Sequence, residues 1–526
     1  MNTGTEPTRP ASERQATSPG TPDETYDDLV IGTGMAGLTV GALLARAGRR
    51  VLLLEAHEYA GGYAHTFPMG PYRFCAQVHY IFGCGEGEPV HDLLERLGIA
   101  EQVRFRRLDP EGFDHIVVTG ERFRIPSGLP KFRDRLIRRF PDAKDALFRY
   151  FATVMAIREE ISLLPDAPSW RDLLTAPLHF PKLLRYRTWT LQRFYDELRM
   201  PRRLQAILAG QAGDYLLPPE RASLLLHVSL ITAYDRGAYY PEKHFSHLID
   251  SVVASIRDRP GCAVLLEHEV DRIIVERARV ARVTTKTGRT FRAERYISNV
   301  DPARTVALAG RAHFPRSYAR KLDYEYSCSS FTMYLGVRDL DLREHGFGSF
   351  NVWHYPHEDI NRMYRDQVER HDLSNPWLFM ATPTLHTEAA GLAPPGHQVL
   401  EVATSASYEH FEKCKERGRR AYNDEKTRVR NAILDVIEAN YVPDLRQHLA
   451  VRVAGTPLTN EHYCWSPRGN AYGAALTPAN TRWPRVDFET PIPNLFMVNA
   501  TAGYPSIGAT VASGMRLYDR LERTGS

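Results

Sequence analysis

Residues 28–55, DLVIGTGMAGLTVGALLARAGRRVLLLE, restrict the fold of this chain more than any other stretch. A short apolar run, Leu29 to Ile31, leads into Gly32, Gly34 and Gly37. Small and apolar residues at helical spacing continue to Ala47, Gly48 makes a turn, and a second apolar run, Val51 to Leu54, ends at Glu55. Strand, glycines, helix, strand and acid in this order form a dinucleotide-binding βαβ unit. The first glycine permits the tight turn, the second lets a diphosphate approach the backbone, and the third allows close helix packing. The helix N-terminus offers unpaired N–H groups to the diphosphate, and Glu55 stands where a carboxylate accepts hydrogen bonds from a ribose. Three glycines alone would be a weak signal. The motif accommodates FAD and NAD equally.

The 526 residues, 43% hydrophobic and 25% charged, are enough for two to four domains. No run of about 18 uncharged apolar residues occurs, so no transmembrane helix is expected. The net charge of +4 is small and dispersed, and with no nucleic-acid module signature it excludes a nucleic-acid partner. Six cysteines without a CxxC pair are read as free thiols in a reducing, cytoplasmic setting. Residues 1–24 carry neither an apolar signal core nor the acid-poor character of a transit peptide, and are expected to be a disordered tail.

Two further features bear on the choice of dinucleotide. Gly61-Gly62, in EAHEYAGGYAHTF, offers a second stretch of bare backbone. Its distance behind Glu55 resembles the double-glycine motif of the flavoenzyme group that contains amine oxidases and phytoene desaturases. No second GxGxxG follows a strand, so no NAD(P)H domain is evident and electrons reach or leave a flavin by an external partner of unknown identity. Near the C-terminus, PIPNLFMVNATAGYPSIGATVASGMRLYDRL reads as a strand, Leu495 to Val498, a glycine-punctuated loop, and a small-residue helix from about Ile507 or Gly508. Such a helix can present its positive end to a flavin, or simply close a sheet.

Several separated passages then occur in one order: AGGYAHTF, VHYIF around His79 and Tyr80, GAYYP, RYISNVDP, PLTNEHYCWSPRGNAYG and the C-terminal segment. Together they resemble the FAD-dependent polyene oxidoreductases, the branch containing retinol saturase, carotenoid isomerase and bacterial phytoene desaturases, with retinol saturase closest in motifs. The resemblance implies a Rossmann-like α/β FAD domain with an inserted α+β substrate domain. It implies FAD contacts at Gly32, Gly34, Met35, Ala36, Gly37, Glu55, Gly61, Gly62, His65, Thr66, Val270, Asn299, Asn499, Ile507, Gly508 and Ala509. It also implies hydride exchange with a hydrophobic conjugated or isoprenoid chain, giving saturation, desaturation or isomerisation. The chain departs from the family at Cys75 and Gln77, where an aspartate and a glycine are usual. Lys243 and His244 replace a glycine pair, and Asn499-Ala500 replaces a glycine followed by Asp or Gln.

On this basis the FAD domain is expected at about 25–105, 246–307 and 450–526, and the substrate domain at 106–245 and 308–449. Leu178 to Leu208 mixes Phe180, Trp189, Phe194 and Tyr195 with lysine and arginines. This pattern suits a helix packing aromatics inward, and leaves open a peripheral membrane contact. No Ser/His/Asp arrangement or metal-ligand cluster stands out. The candidates for assisting proton transfer are His244, Lys243, His79 and Tyr80, with Tyr240 and Tyr472 as pocket walls. Two alternatives share the cofactor fold: an amine or porphyrinogen oxidase, and a flavin-free carrier of lipid cargo. The HTF and PRGxxYG contexts point away from the first, the intact glycine–acid set from the second.

Overall fold

The computed structural model describes residues 25–165, 170–387, 391–481 and 485–524; the expected tail, 1–24, lies outside them. Strand β1 (Thr25–Ile31), helix α1 (Met35–Arg46) and strand β2 (Val51–Leu54) form as the glycine pattern predicts. Every residue of α1 from Met35 to Ala45 is buried. A helix apolar all round must be enclosed, and this one lies against the helices His244–Arg257 and Ile507–Thr524 as well as its own sheet.

The first sheet runs in parallel from Ala263–Leu265 through β2, β1 and Thr290–Ser298 to Leu495–Met497. The antiparallel strands Val270–Glu276 and Arg279–Thr285 extend it. The register is pinned electrostatically. Asp28, fully buried, pairs across the sheet with Arg295 in the neighbouring strand at 2.6 Å and also holds Arg49. A one-residue slip would strand that carboxylate without a partner, and an unpaired buried charge costs several kcal/mol, roughly 3–5.

The second sheet also has seven strands, ordered Leu449–Gly455, Ser329–Val337, Gln398–Ala406, Leu378–Ala381, Asn351–Tyr355, Asp114–Val118 and Glu121–Ile125. All nine residues of Ser329–Val337 are buried. Two of the expected boundaries fall within paired strands. The strand Leu449–Gly455 pairs with Ser329–Val337, so position 450 falls inside a strand of the second sheet. Position 105 likewise opens the strand Phe105–Arg107, which pairs with Tyr239–Pro241. The hairpin Thr66–Met69/Tyr72–Cys75 packs Tyr72 and Phe74 against Tyr334 and Val399 of the second sheet. All six cysteines are free, and no helix among the described residues is long and apolar enough to cross a membrane.

The basic-aromatic stretch breaks into the short helices Pro181–Tyr186, Leu191–Glu197 and Arg202–Leu208. Tyr186, Phe194 and Tyr195 are buried, and Arg193 lies over the half-buried Trp189 ring at 4.2 Å. Its aromatics therefore point inward. Glu160, itself buried, ties this region down by accepting the Lys182 and Leu183 N–H groups at 2.9 and 2.8 Å.

Candidate active site

The glycine loop after β1 is built around a close approach. Gly32 has φ +93°, and a Cβ on Gly34 would lie 2.4 Å from Asn299 Oδ1. Gly34 supplies no side-chain cap to α1, which leaves the first N–H groups of that helix for a ligand. The double glycine lies directly against this loop. The Gly61 N–H donates to the Thr33 carbonyl at 3.1 Å, and a Cβ on Gly62 would sit 3.2 Å from Gly34 Cα. Two motifs that are separate in sequence thus form one stretch of bare backbone. Gly61 at φ +113° and Gly62 at φ +57° adopt the left-handed conformation such a turn requires.

At the end of β2, Glu55 receives the Thr33 N–H at 2.8 Å and the Thr33 hydroxyl at 2.5 Å on Oε2, and the His57 N–H on Oε1 at 3.0 Å. Its carboxylate is thereby oriented with acceptor capacity to spare. Asn299 follows the strand Thr290–Ser298 and donates from Nδ2 to the Val498 carbonyl at 2.6 Å. Asn499 ties two loops together, donating to Val300 O on the loop after Thr290–Ser298 and accepting from the Thr501 and Ala502 N–H groups of its own loop. Ser506, at φ +91°, accepts the Ala509 N–H at 3.2 Å at the start of the C-terminal helix. These loops leave the carboxyl ends of four parallel strands, the place where open α/β sheets bind ligands.

They border a cavity of about 1140 Å³ that continues to the second sheet. At that end stand Tyr80, Tyr234, Trp353, Trp377 and Phe379. Ring centroids are 5.2 Å apart for Tyr80–Tyr234, 5.8 Å for Tyr80–Phe379 and 4.6 Å for Trp353–Phe379. Gly213 lets Trp353 close in, since a Cβ there would be 2.3 Å from the indole. Tyr472 spans the wall, its hydroxyl 3.3 Å from the Gly213 carbonyl. His79 also lines the cavity, with Nδ1 2.6 Å from the buried Glu401 carboxylate.

Two carboxylates belong to this end as well. Burial pushes Asp114 up to about 6, against the pull of hydrogen bonds from Asn351, Gln211 and Tyr80. Burial, followed by the like charge of Asp114, pushes Asp214 up to about 8.

Of the residues expected from the sequence, Gly32, Gly34, Met35, Ala36, Glu55, Gly61, Gly62, Val270, Asn299, Asn499, Ile507, Gly508, His79, Tyr80 and Tyr472 line the cavity. Gly37, His65, Thr66, Ala509, Tyr240, Lys243 and His244 do not. Gly37 packs under the loop, where a Cβ would meet Gly32 O at 2.7 Å. His65 holds the double-glycine turn, Nδ1 2.7 Å from Gly62 O. Lys243 and His244, the sequence candidates for proton transfer, lie away from the cavity. Lys243 is exposed, while His244 is buried beneath Tyr240, whose hydroxyl is 2.8 Å from its Nδ1. Burial, then the charge of Arg73, holds His244 down to about 4.

Sequence reasoning missed Asp114, Asp214, Tyr234, Trp353, Trp377 and Phe379. One signal was present: Asp114 opens the apolar strand DHIVV, and an acid leading a fully buried strand needs a reason.

These features define a dinucleotide-binding oxidoreductase fold with an aromatic chamber beyond the cofactor cradle. The chain belongs to the flavin-containing amine oxidoreductase family, whose profile matches residues 35–516. It is 28% identical over 509 residues to all-trans-retinol 13,14-reductase of Danio rerio, covering 90% of this chain and 82% of the relative. It is 25% identical over 511 residues to the lycopene-forming phytoene desaturase of Pseudescherichia vulneris, covering 92% and 96%. A putrescine oxidase structure superposes with a TM-score of 0.63 at 14% identity, covering 95% of this chain and 99% of that one. This last likeness speaks to the fold alone.

FAD is the cofactor, and the residues present fit it. The uncapped start of α1 and the Gly34/Gly62 contact suit a diphosphate, and Glu55 suits a ribose. The protein is an FAD-dependent oxidoreductase.

Proposed function

We propose that this enzyme acts on C–C and C=C bonds of a hydrophobic conjugated or isoprenoid polyene, by saturation, desaturation or cis/trans isomerisation. The observation that carries the reading is the single cavity running from the glycine cradle to the aromatic chamber of Tyr80, Tyr234, Trp353, Trp377 and Phe379. The near full-length likeness to a retinol reductase and a phytoene desaturase supports it. Bound FAD supplies or accepts a hydride. The chain does the rest. Its glycine loops hold the diphosphate, and its aromatic rings orient a flat conjugated chain by stacking and hold it in place for reaction.

In this reading, about 25–104, 246–307 and 456–526 hold the cofactor, and the second sheet with its helices covers the substrate. An external electron donor or acceptor completes the cycle. The experiment is anaerobic reduction of the flavin followed by mixing with retinoids, carotenoids and, as a separate arm, aliphatic amines with the oxidised enzyme. Reoxidation or isomerisation with a polyene supports the reading. Reduction by amines, with no response to any polyene, replaces it with an amine oxidase.

The route of a water-insoluble substrate carries a second part of the proposal, a peripheral membrane contact. Leu163 and Leu164 follow the helix Lys144–Ser162 and are 64% and 49% exposed. Leu174 and Leu178, on one face of Trp170–His179, are 71% and 80% exposed. Exposed leucines beside the arginines of the next helices suit an anionic bilayer surface. The full chain should co-sediment with vesicles containing anionic lipid, and Leu174→Asp with Leu178→Asp should release it. A wild-type protein that stays in the supernatant overturns this contact.

A further inference from the structure

The two carboxylates of the aromatic chamber, Asp114 fully buried and Asp214 half-buried, have no role in what has been described so far. Asp214, on the short turn Ala212–Asp214, lines the cavity, and Asp114 lies behind it at the start of the strand Asp114–Val118. A single hydroxyl joins them: Tyr80 Oη is 2.8 Å from Asp214 Oδ2 and 3.1 Å from Asp114 Oδ2. A phenol has one proton, so it can donate to only one carboxylate at a time. Asp114 is otherwise well supplied, with Gln211 donating to Oδ2 at 2.7 Å and Asn351 to Oδ1 at 3.0 Å. The buried Trp353 indole N–H faces the same carboxylate and has no other hydrogen-bond partner among the described residues. Among the described residues, the Asp214 carboxylate has only Tyr80 and a long contact from Tyr234, at 3.4 Å.

The groups that face the pair are Tyr80, Tyr234, Tyr215, Tyr355 and Tyr472. None of them is a cation. Two adjacent carboxylates with no cation between them resist ionising together. Donors crowd Asp114 and leave Asp214 short, so the division of labour follows: Asp114 keeps the charge and Asp214 keeps the proton.

We infer that Asp214 is the proton-bearing catalytic residue of the chamber, exchanging its proton with a polyene carbon, and that Tyr80 and Asp114 are the positioning residues that keep that proton on it. In the reductive direction the Asp214 O–H bond breaks and a C–H bond forms at one end of a double bond. The hydride for the adjacent carbon is what bound FAD would supply once reduced by an external two-electron donor, and the carboxylate left on Asp214 is re-protonated from solvent. In isomerisation the same proton adds, the bond that has lost its double character rotates, and the proton returns to Asp214 with no net oxidation. The assignment rests on the polyene reading for its substrate, while the shared proton itself does not.

The test uses the full flavin-loaded chain as wild type, Asp214→Asn and Asp114→Asn, with flavin content confirming that each is folded. For a polyene substrate, Asp214→Asn should lower kcat by at least about 100-fold, the lower range for a general acid, with little change in KM. Wild-type kcat should fall as pH rises through the titration of Asp214. Asp114→Asn removes the like charge that raises Asp214, and should move this falling limb to lower pH. A merely structural pair would leave the limb in place. Turnover by Asp214→Asn within tenfold of wild type, or an unmoved limb in Asp114→Asn, overturns the assignment.

Infrared spectra of the substrate-free proteins at pH 7 provide a readout without turnover. A protonated-carboxyl band should be present in wild type and missing in Asp214→Asn. If no polyene is turned over but the band behaves this way, the shared proton stands and the polyene reading falls. A wild type without the band overturns the inference for any substrate.

Discussion

Glu55 shows how far one side chain can be read in advance. Its place 18 residues beyond Gly37 marked it as the ribose acceptor, and it does stand at the end of β2 facing the cavity. The sequence could not show that Thr33 and the His57 amide would aim it. Replacing a charged acceptor by a neutral amide removes about 1.5–3 kcal/mol of charge-assisted hydrogen bonding. Glu55→Gln should therefore weaken FAD binding by roughly 10- to 150-fold, measured by titrating FAD into the flavin-free protein. Unchanged affinity would show that the ribose is held elsewhere. Lys243 and His244 illustrate the opposite case. A departure from a family pattern drew attention to them, but neither side chain reaches the cavity, because the helix that begins at His244 turns its first residue under Tyr240.

The elements divide according to how local their cause is. β1, α1 and β2 are legible because a continuous apolar run, a glycine turn and a small-residue helix are contiguous signals. The second sheet is not, since its seven strands come from residues 114 to 455 and are joined by pairings distant in sequence. Gly336 marks one such junction. It lies in the fully buried strand Ser329–Val337, and a Cβ there would be 2.5 Å from the ring of Tyr72, which is only 2% exposed and is held by His397 at 2.5 Å. Tyr72 cannot yield without dragging its hairpin. Gly336→Ala should cost about 1–3 kcal/mol by overpacking, read as a lower urea midpoint with an unchanged slope. A midpoint equal to wild type would mean that the hairpin slides freely on the sheet.

Across the whole molecule, burial sets the response to pH. Burial holds His115 and His227 down to about 3, and His244, His354 and His386 down to about 4. Between those values and the ordinary imidazole value of 6.5, the unfolded chain binds protons that the folded chain refuses. The stability they contribute is complete above about pH 6.5 and is lost as pH falls toward 3. Asp114 and Asp214, raised to about 6 and 8, have the opposite sign. Their contribution is complete below the ordinary aspartate range and is lost as pH rises through 8. Thermal unfolding should therefore show a loss of melting temperature from pH 6.5 to 4, partly offset by the two aspartates, and a shallower loss as pH rises from 6.5 to 8 that levels off above 8. A flat profile on the acid side would mean that these imidazoles reach water in the folded state.

The sequence by itself determined the dinucleotide unit, the flavin class and the order of the motifs, because each depends on backbone geometry imposed over a few contiguous residues. Only the tertiary structure decided what faces the substrate. The aromatic chamber and its two carboxylates come from Tyr80, Asp114, Asp214, Tyr234, Trp353, Trp377 and Phe379, residues on separate elements. No periodicity links them. The chemistry of such a group arises from mutual burial, which exists only once the chain has folded.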